Sequence, residues 1–347
     1  MSSSLKDIAV LVGVADSTVS RVLNDAPMRI SEKRRKVILE TARKLNYVPN
    51  RLARTLRTGR HDMIGILAYD ITDAFAAECV TAMDSLSQRE GYRNLWASCV
   101  HAEAAHTDPF RLLADVAQIV DGIVIIAANR YIRDSDIVRF KQQHHVPVVT
   151  LTRSAPTASV PSVSIDDRHG TMLLLEHLVS LGHHRIAFCY RSQPHPAVVI
   201  RYDTYKQFVR EHNLDQEESL CVAVNGTGED GFRAGMKLLK LSRPPTAIIG
   251  VNDLTAVGLI QACYHQHVRI PHDVSIVGFD NIRLTRLTTP TLTSVGASFS
   301  ELVGTAFKEL MAQLSSDHSG ENQAVAHFVT PELFIRESSG PVASAVQ

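Results

Sequence analysis

LKDIAVLVGVADSTVSRVLN, residues 5–24, holds two short helical patterns joined at one glycine. In the first, Leu5, Ile8, Ala9 and Val12 share one face at helical spacing; in the second, residues 18–23, Val19, Val22 and Leu23 turn inward. Gly13 falls where the chain leaves the first helix, a place that often demands a left-handed backbone. Ser17, Ser20 and Arg21 remain on the outer face of the second helix, a polar stripe suited to a DNA major groove. Two amphipathic helices around a glycine also occur in ordinary cores, so these residues alone leave both readings open.

The next forty residues favour the first reading. Ser31 is a good N-cap for a third helix over residues 32–46, with Val37, Ile38, Thr41, Ala42 and Leu45 as its apolar face. Pro49 stops that helix, and Asn50 can cap the basic segment Arg51-Leu52-Ala53-Arg54-Thr55-Leu56-Arg57, which is too short to hold as a helix alone in water. A marginal basic helix carrying two leucines suits a segment that orders on DNA and pushes an apolar wedge into the minor groove. Charge divides the chain at the same place. The 347 residues are neutral overall, 36 Lys plus Arg against 36 Asp plus Glu, yet residues 1–61 carry 13 basic and 5 acidic side chains, a net +8, which leaves −8 for the remainder. A basic head on an acidic body is the distribution expected of a DNA-binding head whose partner body phosphate repels.

From Met63 onward strands alternate with amphipathic helices. Strands are expected at 63–68, 93–97, 122–127, 147–151, 163–165, 185–190, 220–223, 246–251, 274–279 and 292–295, with helices such as 75–88, 170–181 and 254–266 between them. This repetition predicts an α/β fold: two doubly wound parallel-sheet lobes behind a small all-α head. The expected domains are a head over 1–48, a hinge helix and linker over 49–61, a two-lobed body over 62–340 and a tail over 341–347. Ligands of such sheets bind beyond the carboxyl ends of the strands. Those ends offer Asp70, Asp73 and Phe75, then Asn129, Arg130, Thr152 and Arg153, and in the second lobe Arg191, Asn252-Asp253 and Asp280-Asn281, with Arg201 at the start of a helix. An aromatic face among Arg, Asn and Asp groups suits a polyhydroxylated ring, whose hydroxyls both donate and accept. Each residue also has a plainer role: Asp253 and Asp280 as helix caps, Phe75 as core, Arg153 as surface loop. Arg130, Arg153, Arg191 and Arg201 together would favour an anionic ligand such as a sugar phosphate or sugar acid.

Other classes find little support. No stretch approaches the eighteen or so apolar residues of a membrane span and the N-terminus lacks an apolar signal region, so the expected location is the cytoplasm. Cys79, Cys99, Cys189, Cys221 and Cys263 form no CxxC pair and read as reduced residues, four of them in apolar strand or helix patterns. No GxSxG, Walker loop, GxGxxG after a strand or HExxH motif occurs, so neither an enzyme nor a cofactor or metal is expected.

The motifs Lys6-Asp7-Ile8-Ala9, Gly13-Val14, Thr18-Val19-Ser20-Arg21-Val22-Leu23-Asn24 and Tyr47-Val48-Pro49-Asn50 resemble the N-terminal pattern of the lac repressor/galactose repressor family of bacterial helix-turn-helix transcription regulators, and the likeness continues to about Glu337. The resemblance implies a repressor that binds double-stranded operator DNA as a homodimer and takes a small-molecule effector, a sugar or sugar derivative, between two lobes built like periplasmic sugar-binding proteins. It assigns DNA contacts to Asp16, Ser17, Thr18, Arg21, Asn24, Asn50 and Ala53, with Leu56 as the minor-groove wedge. It assigns ligand contacts to Phe75, Arg153, Arg201, Asn252 and Asp280. Two positions depart from the family pattern. Ala15 stands where serine usually caps the second helix, so Asp16 either caps a helix starting one residue later or accepts a hydrogen bond from a cytosine amino group. Val224-Asn225-Gly226-Thr227-Gly228 stands where many relatives carry an aromatic residue to stack on the ligand. The alternative is a sugar-binding transport or sensor module without DNA binding, which would share the lobes but need no basic head.

Overall fold

The computed structural model describes residues 4–23, 27–47, 55, 59–70, 73–104, 106–127, 131–152, 160–192, 195–315 and 325–342. It divides into two compact units, Met1–His61 and Asp62–Gln347.

In the first unit α1 (Leu5–Val12), α2 (Asp16–Leu23) and α3 (Glu32–Lys44) close around Ile8, Ala9, Val19, Val22, Ile38 and Ala42. Ser4 caps α1 reciprocally: its hydroxyl accepts the Asp7 N–H at 3.3 Å, and the Asp7 carboxylate accepts the Ser4 N–H at 2.7 Å. Gly13 exits the helix at φ 66, the left-handed conformation expected of it. The start of α2 differs from expectation. The Ala15 carbonyl takes the N–H groups of Thr18 and Val19, which puts Ala15 in the capping position through its backbone and Asp16 inside the first turn. The reading of Asp16 as the cap is therefore corrected; its carboxylate still sits favourably at the positive end of the helix dipole. Ser31 caps α3 by accepting the Arg34 N–H, as its position suggested. That helix ends at Lys44 rather than 46, because Asn46 turns to φ 46, and Val37 is 42% exposed, since the face turned to the core runs through Ile38 and Ala42.

The second unit begins with β1 (Met63–Ala68), α4 (Ala74–Arg89), β2 (Arg93–Ser98), α5 (Cys99–Ala104), α6 (Pro109–Ala117), β3 (Gly122–Ile126), α7 (Asp134–Gln143), β4 (Val148–Leu151) and β5 (Ser162–Ile165). It continues through α8 (Asp167–Ser180), β6 (Ile186–Arg191), α9 (Pro196–Glu211), β7 (Cys221–Val224), α10 (Gly228–Leu238), β8 (Ala247–Gly250), α11 (Asp253–His265), β9 (Ser275–Phe279), β10 (Thr293–Gly296), α12 (Phe299–Ser315), β11 (Ala326–Val329) and β12 (Glu332–Phe334). Two six-stranded sheets result, ordered β11-β5-β4-β3-β1-β2 and β12-β10-β9-β8-β6-β7, and every pairing is parallel except that of β12 with β10. Strands β3, β4, β8 and β9, and β1 past Met63, are buried and largely apolar because helices cover both faces of a parallel sheet.

The chain passes between the sheets three times, at β5 to α8, at β10 to α12, and at β11 to β12. Neither β11 nor β12 was expected. Each is only three or four residues long and half exposed, too short for the alternation to register. Past β12 the chain is tied down beyond the boundary expected at 340: the buried Ser338 hydroxyl bridges Ile276 O and Thr293 N at 2.6 and 2.8 Å, and Val342 N donates to Leu181 O at 3.1 Å.

Helices α10 and α11 touch backbone to backbone. A Cβ on Gly231 would collide with the Thr255 carbonyl, and one on Gly258 with the Gly228 carbonyl, so both positions require glycine for close approach rather than for conformation. This contact sets where the two helix starts, Gly228 and Asn252, stand. Gly258→Ala must push the helices apart and should cost about 1–3 kcal/mol or more in urea unfolding; an unchanged midpoint would show that the helices are not packed this tightly.

Candidate functional site

Within the first unit α2 presents its polar residues away from the core. Val19 and Val22 are buried, whereas Asp16, Ser17 and Arg21 are exposed and Thr18 is half-buried. Four of the expected DNA-contacting residues thus share one accessible surface of one helix, as the 3.6-residue repeat dictates. Asn24, Asn50, Ala53 and Leu56 lie outside the described residues, and so does Arg153 of the expected ligand set.

In the second unit a cavity of about 320 Å³ opens where the carboxyl ends of the two sheets face each other. Tyr69 and Asp70 follow β1, Thr152 follows β4, Asp167 follows β5, and from the other sheet come Arg191, Asn225, Val251 and Asp280. Parallel strands all end on one side, so two facing sheets bring these loop ends to one cleft. Phe75, Arg201, Asn252 and Asp280 all line it.

Their polar atoms are largely engaged already. Arg201, 7% exposed, donates from Nε to Asp167 Oδ1 at 2.7 Å, from one terminal nitrogen to Val251 O at 2.7 Å and from the other to Asp280 Oδ1 at 3.4 Å. Its guanidinium also lies over the Phe279 ring, 3.5 Å from the centroid. A guanidinium has five N–H groups, so two are left for a ligand. Asn252 caps α11, its Oδ1 accepting from Thr255 N and Oγ1 at 2.9 and 2.7 Å, while its Nδ2 donates to Gly226 O at 3.0 Å. It holds the 225–228 loop against the helix start. Phe75 packs on Phe299 at 5.3 Å between centroids and offers the cleft its remaining face. Asp253 faces inward and fills neither expected role: Asn252 caps the helix, and Asp253 accepts from Ser294 Oγ at 2.6 Å and Ile282 N at 2.9 Å.

Arg201 does not start its helix. Pro196, whose ring presets φ and which lacks the N–H that a first helical residue leaves unused, begins α9 five residues earlier. Asp167 was missed, although Asp166-Asp167 directly follows a strand and so stood where ligand groups were sought; Asp166 caps α8 and leaves Asp167 to Arg201. Asp280 sits at φ 108, a left-handed backbone that costs a non-glycine residue about 1–3 kcal/mol and is held there by its N–H on Val295 O at 2.6 Å. Burial pushes its carboxyl up to about 7; the Arg201 cation opposes this, while Asp73 and Asp167 add to it.

Residues 4–50 match the family of bacterial regulatory proteins, lacI family, and residues 175–339 match a periplasmic binding protein-like domain. The chain is 28% identical over 338 residues to the HTH-type transcriptional repressor CytR of Escherichia coli K12, covering 97% of this chain and 96% of that one. It is 29% identical over 343 residues to the HTH-type transcriptional regulator DegA of Bacillus subtilis, covering 99% of both. Among solved structures it superposes on a lac repressor dimer bound to operator and the anti-inducer ONPF, with a TM-score of 0.82 at 26% identity over 98% of this chain and 100% of that one. The fold is thus the lac repressor fold, helix-turn-helix head and two α/β lobes.

The ion cluster makes opposite predictions for its members. Arg201→Ala strands two buried carboxylates and should cost about 3–5 kcal/mol of stability at neutral pH. Asp280, whose folded value is raised, contributes stability that is present in full below its ordinary value of 3.8 and lost as pH rises through about 7. Asp280→Asn should therefore flatten the fall in stability across that window, measured by urea unfolding at pH 5 and 8; equal pH slopes in variant and wild type would remove Asp280 from the cluster.

Proposed function

We propose that this chain, which carries the DNA-binding domain of lacI-family bacterial regulatory proteins and a periplasmic binding protein-like domain, is a repressor that binds operator DNA as a homodimer and is controlled by a sugar or sugar derivative in the cleft of its second unit. The observation that carries the DNA part is the exposed face Asp16, Ser17, Thr18 and Arg21 on a unit of net charge +8. Basic side chains supply attraction to phosphate without reading sequence; Arg21 and its neighbours read base edges. Asn24 extends the base-reading face, while Asn50, Ala53 and Leu56 act from the joining segment, Leu56 as a wedge between base pairs.

The cleft supports the effector part because it sits at the strand ends and gathers an aromatic face with carboxylate, amide and guanidinium groups. Phe75, Asn252 and Asp280 contact the ligand, with Arg153 from the adjoining loop. Arg201 contributes its two remaining N–H groups. The walls belong to two sheets joined by three strand crossings, so a ligand touching both favours the closed arrangement. By linkage, ligand and operator then each change the affinity of the other by one factor.

DNA selected from a random double-stranded library by the full-length protein tests this reading. Arg21→Ala should bind the selected site about 1–3 kcal/mol more weakly and lose preference at one base pair. Binding indistinguishable from wild type would displace α2 from the groove.

A further inference from the structure

We infer that the effector carries one anionic group, a carboxylate or a phosphate, on a hydroxylated frame, and that Arg191 holds it. The inference rests on the cleft being the effector site. Arg191 ends β6, lines the cleft and is half-buried. Four other arginines of this lobe are committed to carboxylates: Arg201 to Asp167 and Asp280, Arg185 to Asp215 and Glu217, Arg233 to Asp230, Arg269 to Asp273. Among the described residues Arg191 makes no such pair. Its guanidinium lies 3.9–4.0 Å from the point that a Cβ on Gly226 would occupy, and Gly226 turns there at φ 92. The same point lies 3.4 Å from the Asn252 amide nitrogen, so Gly226 leaves backbone rather than a side chain between the Asn252 amide and the Arg191 guanidinium. Asp230, the acid behind that loop, is taken up by Arg233 at 2.6 Å, the Thr227 hydroxyl at 2.9 Å and the Asn225 N–H at 3.2 Å.

The opposite wall differs in kind. Asp70 and Asp73 line the cleft after β1 and before α4; Asp73 caps that helix by accepting the Ala76 N–H at 3.0 Å, and ionised carboxylates can only accept. Deep in the cleft the charge of Arg201 is balanced by its own two carboxylates, so it adds no net attraction for an anion. Among the described residues the cleft thus has carboxylates on one wall and, across it, Arg191 as a cation with no carboxylate bound to it. A neutral sugar would satisfy the first and leave Arg191 without a counter-charge as the lobes close and water leaves, which is costly. A sugar acid or sugar phosphate satisfies both, and a guanidinium holds either group through two parallel hydrogen bonds.

Calorimetry on the full-length protein with galactose, galacturonate, galactose 6-phosphate and the three glucose counterparts tests this, in wild type and Arg191→Gln. A charged member should bind at least about tenfold more tightly than its neutral parent, and the variant should lose that difference while keeping its melting temperature. The acid and phosphate arms identify which anion is held. Neutral parents binding as tightly as the charged sugars, or discrimination that survives Arg191→Gln, would overturn the inference and leave the sugar-effector reading intact; binding by none of the six would overturn both.

Discussion

The Arg201 guanidinium is the interaction on which the body depends. One side chain meets the first residue of α8, just past the β5 crossing, through Asp167; the end of β8 through the Val251 carbonyl; and the end of β9 through Asp280. Asp280 in turn is hydrogen-bonded to β10, next to a second crossing. A buried cation of this kind is a poor source of net stability, because desolvation offsets most of its attraction. Its worth is positional. Two carboxylates and a carbonyl must meet one planar fork, and an alternative packing of the crossings would strand a charge out of water. Lining the cleft, the cluster gives the strand ends one arrangement.

Around that cluster the cleft is built from groups that hold the fold and groups left to act. Asn252 spends its Oδ1 on capping α11 and one Nδ2–H on the 225–228 loop, which leaves its second N–H, and Asp253 joins α11 to β10. Gly231 and Gly258 let α10 and α11 approach closely enough for those contacts. Phe75 and Arg191 also line the cleft, and neither takes part in those contacts. In the head the inward side chains form the core and the polar side chains of α2 stay outside it, because three short helices have room for one layer of core.

Much of this was legible in residue order. Gly13 and Ser31 announced a helix exit and a helix start by local rules that hold whatever surrounds them, and the ten strands of the α/β repeat showed as apolar runs. Where reading failed, the cause was a competing local or tertiary choice. Ala15 caps with its carbonyl, which no side-chain rule reveals; Val37 lies at the edge of an apolar arc whose centre is set by neighbouring helices; β11 and β12 exist only because a sheet edge was available to pair with.

The sequence by itself determined the head-and-body division, the charge asymmetry, the two-lobed α/β architecture and the strand ends at which polar residues gather, since periodicity, caps and net charge are properties of neighbours along the chain. Only the tertiary structure decided which of those gathered residues are already taken. Arg153, Arg191 and Arg201 look alike in sequence; what separates Arg201 from Arg191 is that Asp167, 34 positions earlier, reaches one and no described carboxylate reaches the other. Partnership between charges depends on distances of a few ångströms across the fold, and those are set by how strands and helices pack, not by their order.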